Sequence, residues 1–338
     1  MFDKSKQLHP TKVNVLLLVA KVPTPGYTKT RLQPLLGQQG AAECASALLS
    51  DVMSSMEEVA RLSGAVPGLY PVKKMIVFAP DTPLARAEME SHVLRVTGLE
   101  ASPENGWTLT PMVESRDNET MKSRDLGAKL SAALATARET HHGPAGETSV
   151  VAFIGMDSPG LQPSEIVHSF TVAQQPLPST ATSTLTAYIS PARDGGYVLL
   201  SLPAGSPPTV FQNVEWSAPQ TCVSQIKALS LAGCYVSVGK TGSDVDEVCD
   251  LIELGFQCHE GGVGGGGGRV KAFLERKGLA VPRPTAVAAA AQSAPPGETK
   301  GEQWKGWDGW GVGLGASFVL GVLVGGVCGL RARQTQLG

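Results

Sequence analysis

The chain has 338 residues, a formal net charge of −2 and an aromatic content of only 5%. A protein without an excess of basic residues lacks the electrostatic footprint of a nucleic-acid-binding protein, so we expect no nucleic-acid partner and instead a small anionic ligand bound locally. The six cysteines form neither a C-x-x-C motif nor a paired pattern, which indicates buried thiols in a reducing compartment.

The first predicted element is an apolar strand over Val13 to Val19, followed by a loop at Ala20 to Leu32 that contains two lysines, an arginine, two prolines and a glycine. Two prolines fix the backbone and a glycine permits a tight turn, so this basic loop is expected to be rigid. It is neither a Walker A motif nor G-x-G-x-x-G, and a solvated basic turn is the alternative to a phosphate site. The candidate nucleotide and phosphate ligands are Lys21, Gly26, Lys29 and Arg31.

Strands and amphipathic helices alternate over the next two hundred or so residues. The predicted strands cover 73–79, 107–112, 149–155, 185–190, 197–202 and 235–238, and the predicted helices cover 37–62, 82–96, 123–140, 163–172, 217–232 and 244–255. This alternation predicts a three-layer α/β/α fold with a mostly parallel, mixed sheet, because two strands flank a short turn at 191–196. Ligands of such sheets bind beyond the carboxyl ends of the strands.

Three aspartates are candidate ligands of a Mg²⁺ or Mn²⁺ ion. Asp157 directly follows a buried strand, and Asp244 and Asp246 follow a short strand two residues apart. Carboxylate oxygens are what these ions prefer. Two alternatives stay open: Asp157 as the N-cap of the next helix, and the later pair as an acidic helix start without a metal.

An acidic turn and an aromatic residue are candidates for contacts with an acceptor. Asp194 is a candidate general base, and the glycines beside it would let a ligand approach the backbone. The other candidate acceptor contacts are Gly195, Gly196, Tyr197 and Trp216. An ordinary turn aspartate and core burial of the tryptophan are the alternatives.

The C-terminal part differs in composition from the rest of the chain. We expect an N-terminal tail at 1–12, a transferase-sized domain at 13–258, a Gly- and Ala/Pro-rich linker at 259–309 with a short charged helix inside it, a membrane-spanning helix at 310–330 and a basic tail at 331–338. The uncharged run of 310–330 is long enough to cross a bilayer, and tryptophans precede it. With no secretory signal at the N-terminus, it predicts a tail anchor that leaves the domain cytosolic.

Five blocks resemble, in order, the motifs of a family of GT-A-type transferases related in fold to nucleotidyltransferases, which is named for arsenosugar biosynthesis and associated with radical-SAM proteins. The blocks are 20–32 (A-K-x-P-x-P-G-x-x-K-T-R-L), 155–161 (G-T-D-S-P-x-L), 191–197 (P-A-x-D-G-G-Y), 216–219 (W-S-T-P) and 244–246 (D-V-D). This chain departs from the family pattern at Met156, Ala218 and Glu247-Val248.

The resemblance implies a metal-dependent glycosyltransferase that moves a sugar from a nucleotide-sugar donor to a small-molecule acceptor in arsenosugar-type biosynthesis. It implies that Lys21, Lys29 and Arg31 hold the donor, with Mg²⁺ or Mn²⁺ near Asp157 and one aspartate of the 244–246 pair. Two alternative functions remain: a nucleotidyltransferase acting on a phosphorylated small molecule, and a membrane-tethered nucleotide-binding protein without turnover.

Overall fold

The computed structural model describes residues 12–112, 126–140, 147–175, 185–261 and 268–283. Within these ranges the chain folds as a seven-stranded sheet with helices against both faces. The predicted three-layer α/β/α architecture with a mostly parallel, mixed sheet is confirmed.

The strands are β1 (Lys12–Lys21), β2 (Val72–Ala79), β3 (Trp107–Pro111), β4 (Glu147–Gly155), β5 (Leu185–Pro191), β6 (Tyr197–Pro203) and β7 (Cys234–Val238). They lie in the order β3-β2-β1-β4-β6-β5-β7, and β6 runs antiparallel to both of its neighbours. Strand β1 is parallel to β2 and β4, which flank it. The loops that follow β1 and β4 therefore leave the sheet at the same edge.

The helices are α1 (Gln33–Ser63), α2 (Pro83–Thr97), α3 (Leu126–Thr140), α4 (Pro163–Gln174), α5 (Thr221–Leu231), α6 (Val248–His259) and α7 (Arg269–Arg276). Helix α2 shows how local sequence fixes the ends. The Thr82 hydroxyl accepts a hydrogen bond from the Ala85 amide at 3.1 Å, Pro83 occupies the first turn, and Gly98 ends the helix in the left-handed region.

Strand β1 divides its side chains between two apolar cores, one on each face of the sheet. Leu16 and Leu18 belong to the core beneath α1, α2 and α4, whereas Val15 and Leu17 belong to the core beneath α3 and α5. Successive side chains of a strand point to opposite faces, so a continuous apolar run is what a strand buried on both faces requires. Strand β1 is therefore an interior strand covered on both faces.

Helix α7 shows that the predicted domain boundary at 258 is too early. Its Val270, Phe273 and Leu274 pack with residues of α1 and α6 in a third apolar cluster. The amides of Arg269 and Val270 donate to the two carboxylate oxygens of the buried Asp51 at 3.0 and 2.9 Å. A glycine-rich composition predicts a linker, but apolar side chains beyond it return the chain to the domain.

No helix among the described residues is long and apolar enough to cross a membrane. The predicted membrane-spanning helix at 310–330 and the tail at 331–338 lie outside the described residues, as do 1–11 and 284–309. The tail anchor therefore stays a prediction.

Candidate active site

The carboxyl ends of β1 and β4 bring two of the predicted site segments together. Val19 of β1 pairs with Gly155 of β4, and the basic loop and Asp157 follow at once. The Val245 amide donates to the Asp157 carbonyl at 2.9 Å, which brings in the D-V-D segment from far along the chain. The buried Met156, a departure from the family motif, accepts a hydrogen bond from the Lys21 amide at its sulfur atom (3.3 Å).

The basic loop is held in shape by its own polar residues. The Thr28 hydroxyl donates to the Val22 carbonyl and accepts from the Thr24 amide, each at 3.0 Å. Gly26 has a φ of +83°, a conformation that favours glycine, and it does not line the cleft described below. Its function is therefore to shape the turn.

Lys29 lies between two of the predicted metal ligands. Its Nζ is 2.9 Å from Asp157 Oδ2 and 2.6 Å from Asp246 Oδ1, and its side chain is only 8% exposed. Burial by itself lowers the pKa of Lys29, but the two carboxylates outweigh it and raise the pKa above the ordinary value. The side chain is therefore an ammonium group paired with both carboxylates.

Asp157 folds back over the end of β4. Its Oδ1 is 2.7 Å from the point that a Cβ at position 155 would occupy, so a side chain there would require the carboxylate to shift. The alternative N-cap function of Asp157 is wrong, because the N-cap of α4 is Gln162. Asp157 is thus free of helix capping and faces Lys29.

The two aspartates of the D-V-D segment lie in different surroundings. Neither of its aspartates caps α6, because the N-cap is Glu247, which forms a reciprocal capping box with Asp250. Asp244 lies apart from the Lys29 contacts and lines a small cavity with Arg193 and Asp194.

Asp244 is half-buried in acidic surroundings. Burial, followed by the charges of Asp194, Asp157 and Asp246, raises the pKa of Asp244 to about 7. Among the described residues no group of three or more acidic, histidine or cysteine side chains is arranged to hold a metal ion. The three candidate ligands therefore divide: Asp157 and Asp246 converge on Lys29, and Asp244 faces the small cavity.

Two adjoining cavities of about 630 and 450 Å³ form one cleft along this edge of the sheet. The larger, cationic half is lined by Lys21, Tyr27, Lys29 and Lys129, among others. The smaller half is lined by Asp194, Gly196, Tyr197 and Trp216, among others. Both halves share Val19, Arg31, Leu126, Gly155 and Asp246.

Arg31 stands at the junction of the two halves and forms an exposed ion pair with Glu247. Its side chain is 69% exposed, and its nearest carboxylate, of Glu247, is 3.6 Å away. Tyr27 and Lys129 were missed from the sequence. An exposed aromatic residue in a polar loop could have identified Tyr27, whereas nothing in the helical pattern distinguishes Lys129.

The acidic turn between β5 and β6 is packed tightly against the tryptophan loop at 215–219. Asp194 Oδ1 accepts a hydrogen bond from the Gly196 amide at 2.8 Å. Gly195 has a φ of +93°, and a Cβ there would lie 2.6 Å from the carbonyl carbon of Pro219. The expectation that Gly195 gives space to a ligand is wrong, because the tryptophan loop already fills that space.

The two aromatic residues of the smaller half differ in what they expose. The Tyr197 hydroxyl donates to Oε1 of the buried Gln225 at 3.4 Å, so its polar end points towards α5. Burial raises the pKa of Tyr197. Trp216 is half-buried, packs against the core and also lines the cleft. Core packing and a ligand-facing surface therefore coexist in Trp216.

Comparison with solved structures identifies the fold. A crystal structure of a protein from Desulfovibrio desulfuricans G20, provisionally named a nucleotide-diphospho-sugar transferase, matches with a TM-score of 0.59 over 79% of this chain and 96% of that chain, at 20% identity. The fold is GT-A-like. The resemblance that the sequence motifs indicated is confirmed at this level.

Two further structures match with TM-scores below 0.5. A cytidylyltransferase from Leptospira borgpetersenii is 7% identical, with a TM-score of 0.40 over 81% of this chain and 98% of that chain. Glucosyl-3-phosphoglycerate synthase from Mycobacterium tuberculosis, in complex with Mn²⁺, UDP and glucosyl-3-phosphoglycerate, is 12% identical, with a TM-score of 0.35 over 81% of each chain.

A family model also matches the middle of the GT-A-like domain. The model, DUF2064, is described as "Uncharacterized protein conserved in bacteria" and matches residues 82–218. This range includes Asp157, Asp194 and Trp216, and it leaves out the basic loop and the D-V-D segment. No curated protein sequence matches this chain at a significant level.

Proposed function

We propose that this protein is a glycosyltransferase that moves a sugar from a nucleotide-sugar donor to a hydroxyl group of a small-molecule acceptor. The observation that carries the proposal is the continuous cleft, in which a cationic half and an aromatic half meet at Arg31 and Asp246. A diphosphate fits the first half by charge, and a sugar or acceptor ring fits the aromatic wall of the second. Membership of an arsenosugar-type pathway stays a prediction of the sequence resemblance.

Arg31 and Lys21 hold the donor diphosphate in this proposal. The exposed guanidinium of Arg31 can donate two parallel hydrogen bonds to phosphate oxygens, whereas the lysines act as point charges. When the bond between the anomeric carbon and the diphosphate oxygen breaks, the electron pair leaves with the nucleoside diphosphate. Cations already fixed beside that oxygen stabilise its developing charge without reorganisation.

The donor set also fits a divalent cation. Asp157 Oδ2 and Asp246 Oδ1 both approach the Lys29 ammonium within 3 Å, so two hard oxygen atoms converge on one position for a cation. Mg²⁺ is commonly held by one or two carboxylates together with substrate phosphates. Asp157 and Asp246 would hold the ion, and it would supply further positive charge beside the leaving diphosphate.

Asp194 is the proposed general base. It lies in the wall of the acceptor half, and the Gly196 amide fixes its orientation through one carboxylate oxygen. The acceptor oxygen forms the new bond to the anomeric carbon while its proton passes to the carboxylate. Direct attack of this kind inverts the configuration at that carbon.

The test uses the full-length chain with Mn²⁺ and two sets of substrates. With nucleotide sugars we expect release of nucleoside diphosphate, and with nucleoside triphosphates plus sugar phosphates we expect no pyrophosphate. Pyrophosphate release would replace this proposal by nucleotidyl transfer. Nucleotide binding without either product would instead indicate a binding protein without turnover.

A substitution of Arg31 tests the donor half directly. Loss of charge-assisted hydrogen bonds worth about 1.5–3 kcal/mol in Arg31→Ala would weaken nucleotide-sugar binding about tenfold to a hundredfold. The affinity of Arg31→Lys should fall between those of the wild type and Arg31→Ala, because lysine keeps the positive charge but cannot donate two parallel hydrogen bonds. Arg61→Ala is the matched control, since this exposed arginine pairs with Glu58 on α1 and does not line the cleft. Equal affinity of Arg31→Ala and Arg61→Ala would contradict the assignment.

A further inference from the structure

The cation position of this cleft is occupied by a side chain of the protein itself. Lys29 is the most buried member of its cluster, with 8% of its side chain exposed against 30% for Asp157 and 46% for Asp246. All three side chains line the cationic half of the cleft, and the lysine is the least exposed of them. A divalent cation that used the same two oxygen atoms would meet this positive charge.

The backbone holds Lys29 in this place. Its φ of +49° lies in the left-handed region, which is uncommon for a residue with a side chain, and the preceding loop is closed by the hydrogen bond between Thr24 and Thr28. The segments that carry Lys29 and Asp246 are anchored together, because their neighbours in sequence, Leu32 and Val245, are buried in the same apolar cluster. The lysine contact is therefore built into the fold and is not a chance surface ion pair.

Two positive charges beside one pair of carboxylates repel each other, and the repulsion is strong where water is partly excluded. A bound diphosphate changes this balance, because its oxygen atoms offer the ammonium another partner within the same half of the cleft. The exchange keeps Lys29 paired throughout, so it avoids leaving a buried charge uncompensated.

We propose that Lys29 is an internal counterion that competes with the divalent cation for Asp157 and Asp246, so that the cation binds well only after a diphosphate has drawn Lys29 away. This inference rests on the proposed donor site, and it makes cation binding conditional on donor binding. An empty enzyme then holds its own cation, and the complete charge set assembles only around the substrate.

The experiment measures the affinity of the full-length chain for Mn²⁺ alone, without nucleotide, from the loss of the electron paramagnetic resonance signal of free Mn²⁺. We expect weak binding to the wild-type chain and binding at least about tenfold tighter to Lys29→Met. Lys29→Gln provides a second uncharged variant, and Lys29→Arg, which keeps the charge, should bind as weakly as the wild type. Far-UV circular dichroism establishes that each variant is folded.

A double variant locates the gained site. In Lys29→Met combined with Asp246→Asn, the tighter Mn²⁺ binding should be lost. The proposal would be overturned if the double variant kept the tighter Mn²⁺ binding. It would also be overturned if the wild type and Lys29→Met bound Mn²⁺ equally well, or if the wild type bound it more tightly than Lys29→Met. Because the assay contains no nucleotide, its result is independent of whether the chain transfers a sugar, and the two failures are distinguishable.

Discussion

Substitution of Gly195 by alanine should destabilise the domain far more than the same change one residue later. A left-handed backbone costs a non-glycine residue about 1–2 kcal/mol. The new Cβ would also lie 2.6 Å from the Pro219 carbonyl carbon and 2.7 Å from its Cα, and these are backbone atoms that cannot rotate away. Overpacking of this kind adds about 1–3 kcal/mol, so we expect a total loss of about 2–5 kcal/mol.

Gly196→Ala is the matched control. It has no positive φ, and its Cβ would meet only the end of the flexible Asp194 side chain at 3.1 Å, so the expected loss is below about 1 kcal/mol. Urea unfolding of the full-length variants, followed by far-UV circular dichroism, measures both changes. Equal unfolding midpoints for the two variants would refute the close approach of the tryptophan loop to Gly195.

Three further predictions concern the rest of the chain. His92 is buried, and burial, followed by the charge of Arg95, lowers its pKa from 6.5 to about 4, with Glu88 acting in the opposite direction and Arg269 in the same one. The unfolded chain therefore takes up a proton at His92 at a higher pH than the folded chain does, and the free energy of unfolding should fall by up to about 3 kcal/mol as the pH falls from 6.5 to 4. His92→Gln should remove this part of the pH dependence. If the free energies of unfolding of the wild type and His92→Gln ran parallel over this pH range, the prediction would be wrong. Asp51→Ala removes the acceptors of two amides at the start of α7 and should cost about 1–3 kcal/mol in urea unfolding. Ser54→Ala, which loses hydroxyl hydrogen bonds with the Arg269 side chain and the Ser50 carbonyl but leaves both amides paired, should cost less. A reporter fused to residues 303–338 should sediment with cell membranes, and a reporter that stays in the supernatant would end the tail-anchor prediction.

Much of the fold followed from local patterns. The apolar run of β1 predicted a strand buried on both faces, and the alternation of strands and helices predicted the layers, since both depend on side-chain period and burial. The start of α6 was placed four residues too early, at 244, because an aspartate pair resembles a helix start and the true cap, Glu247, pairs with Asp250 inside the helix. A run of acidic residues before a helix does not show which of them accepts the hydrogen bond from a backbone amide of the first turn.

The sequence indicated which segments meet at the candidate site but not the contacts that they form there. Sequence order placed the basic loop and Asp157 at one edge of the sheet, because parallel strands end together. It did not indicate that Lys29 turns inward to Asp157 and Asp246, or that Asp244 lies apart from them. The direction of a side chain from a loop depends on that loop's φ angles and on segments more than a hundred residues away.

The sequence by itself determined the fold class, the order of the strands and helices along the chain, and the residue types available for binding a phosphate and a cation. The tertiary structure alone decided which charges neutralise each other, which glycines are required by packing, and that α7 belongs to the domain. The reason is physical: periodicity and local propensity act within a few residues, whereas ion pairing, close approach and burial depend on distances between segments that only the folded chain brings together.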